Sequence, residues 1–140
     1  VQATTIQSIS DSQSTRLLTS LGITDATARA QMLFLANGLA AELTRLATDK
    51  NYFAHESAYI RDARAFLQGS PVEQVTTIER YQKSREDSLG LLASAQRILS
   101  HSLRTQPSRE LVARAETLAT AYDRIAANGN IRLQLMVCVV

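Results

Sequence analysis

The chain has 140 residues, of which 45% are hydrophobic and 20% charged, with a formal net charge of +2. This length suits one domain with a buried core, so we expect a single domain over residues 1–140. The mild charge argues against a nucleic-acid partner, and the one cysteine, Cys138, excludes an internal disulfide.

Helix-breaking residues are scarce: there are two prolines and five glycines. The common residues are Ala, Leu, Gln, Glu and Arg, which lose little side-chain freedom in a helix. Composition therefore predicts an all-α fold.

The first part of the chain, residues 1–21, is rich in serine and threonine, and its helical periodicity is weak. Gly22 can kink or restart this segment. From Arg29 to Leu67, apolar residues recur in steps of three and four, which is the pattern of a bundle helix. Asn37 and Gly38 are residues typical of a turn, but the spacing of the apolar positions continues unchanged through them.

The end of the first helix has two interpretations. A turn near residues 49–51 leaves the second helix short. A turn at residues 37–38 instead gives four helices, over residues 3–36, 39–69, 71–104 and 108–138, each about 50 Å long at the helical rise. We prefer the second, because an antiparallel up-down-up-down four-helix bundle needs helices of matched length, and Asn and Gly tolerate left-handed backbone.

The remaining boundaries are marked by capping residues. Gly69, Ser70, Pro71 and Glu73 form the sequence of a helix end followed by a capping box. Residues 105–108, TQPS, end the third helix, because proline cannot continue it. The asparagines around Gly129 interrupt the last helix.

Motifs for catalysis and metal binding are missing. The sequence has no glycine-rich phosphate loop, no paired His or Cys at metal spacing and no G-x-S-x-G elbow. His55 and His101 belong to separate helices. We therefore expect a protein that is not an enzyme and that uses no cofactor or metal.

Three arginines lie on otherwise apolar rows of the predicted helices: Arg29, Arg85 and Arg114. A buried guanidinium must be paired, since an unpaired buried charge is costly. One interpretation pairs them with acids of neighbouring helices, for which the candidates are Glu42, Asp62 and Glu116. The other pairs them with a bound anion held by a bidentate guanidinium.

A turn at residues 37–38 places Arg29 and Arg114 at similar depths below one end of the bundle, on the neighbouring first and last helices. Thr117 lies one turn beyond Arg114, and Arg85 shares a face with Tyr81. These five residues are the candidate ligand-binding side chains.

Two stretches, RAFLQGSP at residues 64–71 and the closing helix at residues 108–127, resemble a known family. They are similar to the four-helix-bundle ligand-binding domains of bacterial methyl-accepting chemotaxis receptors and sensor kinases, and the likeness extends over residues 25–130. The resemblance implies a periplasmic domain between two membrane helices, dimerising along its first and last helices. It also implies a small anion held by arginines of the first helix, here Arg29, and polar residues of the last, here Thr117.

The nitrate-sensing branch of that family has the pattern N-x-A-G-R-x-R-M. Residues 25–32 read DATARAQM, which keeps Arg29 and Met32 but lacks the Asn, the Gly and the second Arg. A carboxylate is therefore the expected ligand rather than nitrate.

The two chain ends suit this interpretation. Val1 in place of Met indicates a processed or excised chain, and residues 133–140, LQLMVCVV, are apolar. This run is either a last helical turn buried in the core or the start of a transmembrane helix.

The leading hypothesis is an extracytoplasmic sensor domain that binds a small organic anion and signals by a helix shift. The rival is an adaptor or structural bundle that binds another protein through a helix face. Membrane spans flanking the domain in the parent gene would favour the sensor.

Overall fold

The computed structural model describes residues 9–139, and these residues form helices and turns without any strand. The all-α prediction is confirmed. The helices in this part of the chain are α1 (Asp11–Ser20), α2 (Ala26–Ala36), α3 (Ala40–Thr48), α4 (Lys50–Gln68), α5 (Pro71–Tyr81), α6 (Arg85–Thr105), α7 (Arg109–Ala126) and α8 (Ile131–Val137).

The chain divides into two compact units, Val1–Ser57 and Ala58–Val140. In the first unit, α1, α2 and α3 pack against one another. In the second, α7 packs on both α6 and α8, and α5 contacts both α6 and α8. The single domain expected over residues 1–140 stays a prediction.

A turn separates α2 from α3 at Asn37 and Gly38, as predicted. Asn37 is the left-handed C-cap of α2 with φ 48°, and Gly38 follows with φ 81°. A second break lies at Asp49, whose extended backbone ends α3 one residue before α4 begins. The structure therefore contains both of the turns considered from the sequence, one at residues 37–38 and one at residue 49.

The four long helices predicted from the sequence are each interrupted, so the predicted bounds are wrong. Breaks precede Ala26, Lys50, Arg85 and Ile131, which are the first residues of α2, α4, α6 and α8. The longest helix, α6, has 21 residues and is about 31 Å long at the helical rise, against the predicted 50 Å.

The first interruption has a local cause. Gly22, with φ 80°, allows its own N–H to reach Thr19 O (3.1 Å) and that of Ile23 to reach Leu18 O (3.0 Å), which is a Schellman motif. Asp25 then caps α2 by accepting from the N–H of Ala28. Gly22 marked a possible break in the sequence, but the preference for four helices of matched length extended the first predicted helix through it.

The predicted boundary between α4 and α5 is confirmed by its hydrogen bonds. Ser70 and Glu73 form the capping box, in which the Ser70 N–H donates to Glu73 Oε2 at 2.6 Å. This backbone bond holds the pKa of the Glu73 carboxyl below its usual range. Pro71 occupies the first turn, where its missing N–H costs nothing.

Each unit has its own buried side chains. The apolar ones of the first unit are Leu18, Met32, Leu35, Ala36, Leu43 and Leu46. The core of the second unit comprises Ala63, Phe66, Ile78, Tyr81, Leu91, Leu92, Ala95, Leu99, Leu118, Ala121, Ile125, Leu135 and Cys138.

Candidate functional site

The described part of the second unit contains a groove between α7 and α8. One pocket of about 230 Å³ is lined by Glu110, Ala113, Arg114, Thr117, Leu118, Val137 and Cys138. A second, of about 410 Å³, shares Ala113, Thr117 and Val137 with the first and adds Glu116, Thr120, Ala121, Arg124 and Gln134. We call these two adjoining pockets the α7–α8 groove.

Two of the predicted ligand-binding residues line the smaller pocket of this groove: Arg114 and Thr117. They are three residues apart on α7, so their side chains leave the same face of the helix. Thr117 Oγ1 donates to Ala113 O at 3.0 Å, which orients its lone pairs away from its own helix. The pocket thus combines a guanidinium and a hydroxyl with the apolar side chains of Leu118 and Val137.

The thiol of Cys138 belongs to the same pocket. It is 3% exposed and donates weakly to Gln134 O at 3.5 Å. Burial raises its pKa to about 11, although the positive charge of Arg114 acts in the opposite direction. The thiol is therefore protonated at neutral pH and is a poor nucleophile there.

Arg29, the third candidate, lies in the first unit on α2. Its Nη2 donates to Thr15 O and to Thr19 Oγ1, both at 3.1 Å. The guanidinium thereby connects α2 to α1. Its predicted convergence with Arg114 concerns residues of two separate units and stays a prediction.

Arg85, the fourth candidate, begins α6 and bonds to the turn between α7 and α8. Its Nη1 donates to Ile125 O and, at 3.2 Å, to Gly129 O. Both acceptors are backbone carbonyls near the C-terminus of α7, where carbonyls lack helical partners and a cation is favoured. Arg85 does not line the α7–α8 groove.

Tyr81, the fifth candidate, bonds to an acid instead of lining the groove. Its hydroxyl donates to Asp62 Oδ2 at 2.6 Å, and Arg61 and Arg80 form salt bridges to the same carboxylate at 3.1 and 3.7 Å. Burial acts to raise the pKa of Asp62, but the hydrogen bonds from Tyr81 and Arg61 outweigh it, so the pKa lies below its usual range. Burial and the bond to Asp62 raise the pKa of Tyr81.

The hydrogen bonds seen for Arg29 and Arg85 go to backbone carbonyls and a hydroxyl, not to acidic side chains. Of the three acids considered, Glu42 accepts from the hydroxyl of Tyr52, Asp62 accepts from Tyr81, and Glu116 lines the groove. Carbonyls and a hydroxyl are the acceptors, a third possibility that neither sequence interpretation included.

Sequence reasoning missed the α8 side of the groove, which consists of Gln134, Val137 and Cys138. The signal was present in the asparagines that flank Gly129, because a helix that ends there allows the following segment to fold back. The long-helix interpretation treated residues 108–138 as one element and so placed no second wall beside Thr117.

We expect Tyr81→Phe to lower the free energy of unfolding by about 1–2 kcal/mol at pH 7, because a hydrogen bond to a charged group is lost. A carboxyl whose folded-state pKa is depressed stabilises the fold above its ordinary pKa, and this contribution is lost as pH falls through the depressed value. Without Tyr81, the pKa of Asp62 rises towards its ordinary value, so the variant loses less stability than the wild type as the pH falls. Urea unfolding between pH 7 and pH 2.5 measures this effect.

The matched control for that experiment is Tyr122→Phe, which removes a hydroxyl from a half-buried tyrosine of α7. It should keep the pH dependence of the wild type. Identical pH profiles for Tyr81→Phe and the wild type would show that the bond to Asp62 contributes nothing to stability.

No protein-family model matches the chain, and no curated protein or solved structure matches it either. Across residues 9–139, none of the helices combines the length and the apolar character needed to cross a bilayer. The same residues contain no group of three or more His, Cys, Asp and Glu side chains placed to hold a metal ion.

Proposed function

We propose that this protein is a non-enzymatic ligand-binding domain that takes a small organic carboxylate in the α7–α8 groove. The observation that carries the proposal is the meeting of Arg114 and Thr117 in one pocket with apolar side chains of both helices. A guanidinium presents donors in a fork that matches a carboxylate. The Thr117 hydroxyl donates to Ala113 O without a ligand, so on binding it would turn its one proton from that carbonyl to a carboxylate oxygen. The apolar side chains suit a short hydrocarbon chain.

The volume of the smaller pocket supports a small ligand. At about 230 Å³, it lies below the 300–1,000 Å³ range typical of sites for drug-sized molecules. Glu110 also lines this pocket and disfavours ligands with several negative charges, since like charges repel. A monocarboxylate of two to four carbons therefore suits this site better than a larger polyanion.

The wider proposal is a sensor of the chemoreceptor type, located in the periplasm, tethered to the inner membrane by flanking helices and dimeric. It includes an up-down-up-down arrangement of the helices and the participation of Arg29. Its support is the resemblance over residues 25–130 and the in-row arginines. Signalling would follow from a small shift of one helix against another on ligand binding.

A thermal-shift panel of acetate, propionate, butyrate and lactate, each paired with its neutral amide, tests the proposal. A ligand that binds only the folded state raises the melting temperature, by an amount that grows with its concentration over Kd. We expect at least one acid to raise the melting temperature while its amide does not. Arg114→Gln should weaken that affinity by about 10- to 100-fold, as expected for a lost charge-assisted hydrogen bond.

The matched control is Arg132→Gln, which removes the same charge from an exposed position of α8 outside the groove. It should keep the affinity of the wild type. The absence of a shift with every acid, or equal shifts in the Arg114→Gln variant and the wild type, would refute the carboxylate site.

A second candidate, an adaptor that binds another protein through a helix face, is favoured by exposed apolar side chains. Val112 of α7 is 45% exposed, and Leu133 and Val137 of α8 are 63% and 62% exposed. Leu133 and Val137 are four residues apart and so lie on one face of α8, and exposed apolar surface can mark an interaction site. The acid panel separates the two candidates, because an adaptor without an anion site gives no shift that depends on Arg114.

A further inference from the structure

The α7–α8 groove has walls on two helices that are joined by a short turn. Arg114 and Thr117 belong to α7, whereas Val137 is the last residue of α8 and Cys138 directly follows it. The width of the groove therefore depends on the angle between α7 and α8. The turn over residues 127–130 determines that angle.

The backbone of this turn is tightly constrained. Asn128 adopts a left-handed conformation with φ 67°, and the N–H of Gly129 reaches Arg124 O at 2.7 Å, which completes a Schellman motif at the end of α7. A Cβ at position 129 would lie 2.5 Å from that same carbonyl oxygen. Asn130 then caps α8 through its side chain, which accepts from the N–H of Leu133.

Arg85 connects this turn to α6. Its Nη1 donates to Ile125 O, in the last turn of α7, and to Gly129 O, immediately before the cap of α8. One guanidinium thus bonds both to the last turn of α7 and to the residue that precedes the N-cap of α8. Hydrogen bonds from a charged donor are roughly twice as strong as neutral ones, so this contact is well suited to fixing the turn.

Two buried side chains hold α8 in place, together with the partly buried Ile131 and Val139, which pack against the core. The helix has seven residues, and Leu135 is its buried residue, with Cys138 buried directly after its end. Short segments with few buried contacts open locally at a lower free energy than the whole domain. The position of α8 is therefore sensitive to the loss of a single fixed contact.

We propose that Arg85 is a positioning residue, which sets the width of the α7–α8 groove by holding the turn over residues 127–130 and so controls carboxylate affinity without touching the ligand. This inference rests on the proposed function only in its last step. The effect of Arg85 on the position of α8 can be tested without any ligand.

Cys138 provides a direct readout of that position, because it is the chain's one cysteine and is 3% exposed. Alkylation by N-ethylmaleimide, a neutral reagent, requires the Cys138 thiol to become exposed, and movement of α8 away from α7 exposes it. We expect Arg85→Gln to accelerate alkylation about tenfold or more, as expected for the loss of a charge-assisted hydrogen bond. Arg85→Lys, which retains the charge, should restore a rate between those of Arg85→Gln and the wild type.

The control is Arg104→Gln, which removes the same charge from an exposed position in the last turn of α6. An Arg85→Gln rate within about twofold of this control, the scatter expected of surface changes, would overturn the proposal. The proposal would also fail if the faster alkylation matched the fall in global stability measured by urea unfolding, because α8 would then open only with the whole fold.

Sodium propionate serves as the probe for the groove itself. It should slow alkylation of Cys138 in the wild type, and in Arg85→Gln the concentration needed for half of this protection should rise about tenfold. Equal protection in both proteins would overturn the control of affinity by Arg85. Protection in neither protein counts against the proposed function, while the alkylation rates without propionate still decide whether Arg85 positions α8.

Discussion

Replacement of Phe66 by alanine is expected to lower the free energy of unfolding by about 3–5 kcal/mol, the range measured for aromatic truncations in protein cores. The Phe66 side chain is 1% exposed and belongs to the core of the second unit. Its removal loses both the transfer free energy of the ring and the contacts of the atoms that surrounded it.

The backbone at Phe66 makes collapse of the resulting cavity difficult. Its carbonyl accepts from Gln74 Nε2 at 2.9 Å, and Gln74 itself is 1% exposed. This buried bond holds the last turn of α4 against α5, so the cavity cannot close without exposing or straining a buried amide. We therefore expect a value in the upper half of the range.

Urea unfolding followed by circular dichroism measures the effect, with Val72→Ala of α5 as the control. Val72 is 76% exposed, so its truncation should change the free energy of unfolding by no more than about 0.5 kcal/mol. A loss below about 1 kcal/mol for Phe66→Ala would contradict the core described for the second unit.

Leu135→Ala should produce its largest effect on the docking of α8 and not on global stability. The side chain of Leu135 is fully buried, and truncation of a buried leucine costs about 2–5 kcal/mol. Because α8 has seven residues, it can detach while the rest of the unit stays folded. The fall in global stability is therefore limited to the free energy with which α8 docks.

Alkylation of Cys138 reports this local opening. We expect Leu135→Ala to accelerate the reaction with N-ethylmaleimide by about 100-fold or more, which corresponds to the cost of the truncation. Leu133→Ala is the matched control, because it makes the same change in the same helix at a side chain that is 63% exposed. Equal alkylation rates for the two variants would show that α8 does not dock through Leu135.

Together, the effects at Arg85 and Leu135 separate two contributions to the α7–α8 groove. Leu135 supplies the apolar burial that holds α8 on the unit, and Arg85 fixes the turn from which α8 starts. The first contribution is non-directional, whereas a hydrogen bond from a guanidinium depends on direction. Burial therefore decides whether α8 docks, and Arg85 decides the angle at which it does so.

The sequence by itself determined the all-α class and the turns whose cause is local. Asn37 with Gly38, and Ser70 with Pro71, specify their own backbone conformations through left-handed φ values and side-chain caps. Such features need only residues within one helical turn of each other. The interruptions at Gly22 and Asn128 have equally local causes, but the preference for four helices of matched length outweighed the turn residues found there.

Only the tertiary structure decided what the arginines contact and where a groove forms. Periodicity shows which face of a helix is apolar, but it does not show which neighbour covers that face. Arg85 donates to Gly129 O across 44 positions of the chain, and its acceptors are carbonyls, which every residue carries and no side-chain pattern reveals. The groove beside Thr117 likewise exists because α8 folds back on α7, a consequence of one left-handed asparagine and the burial of Leu135.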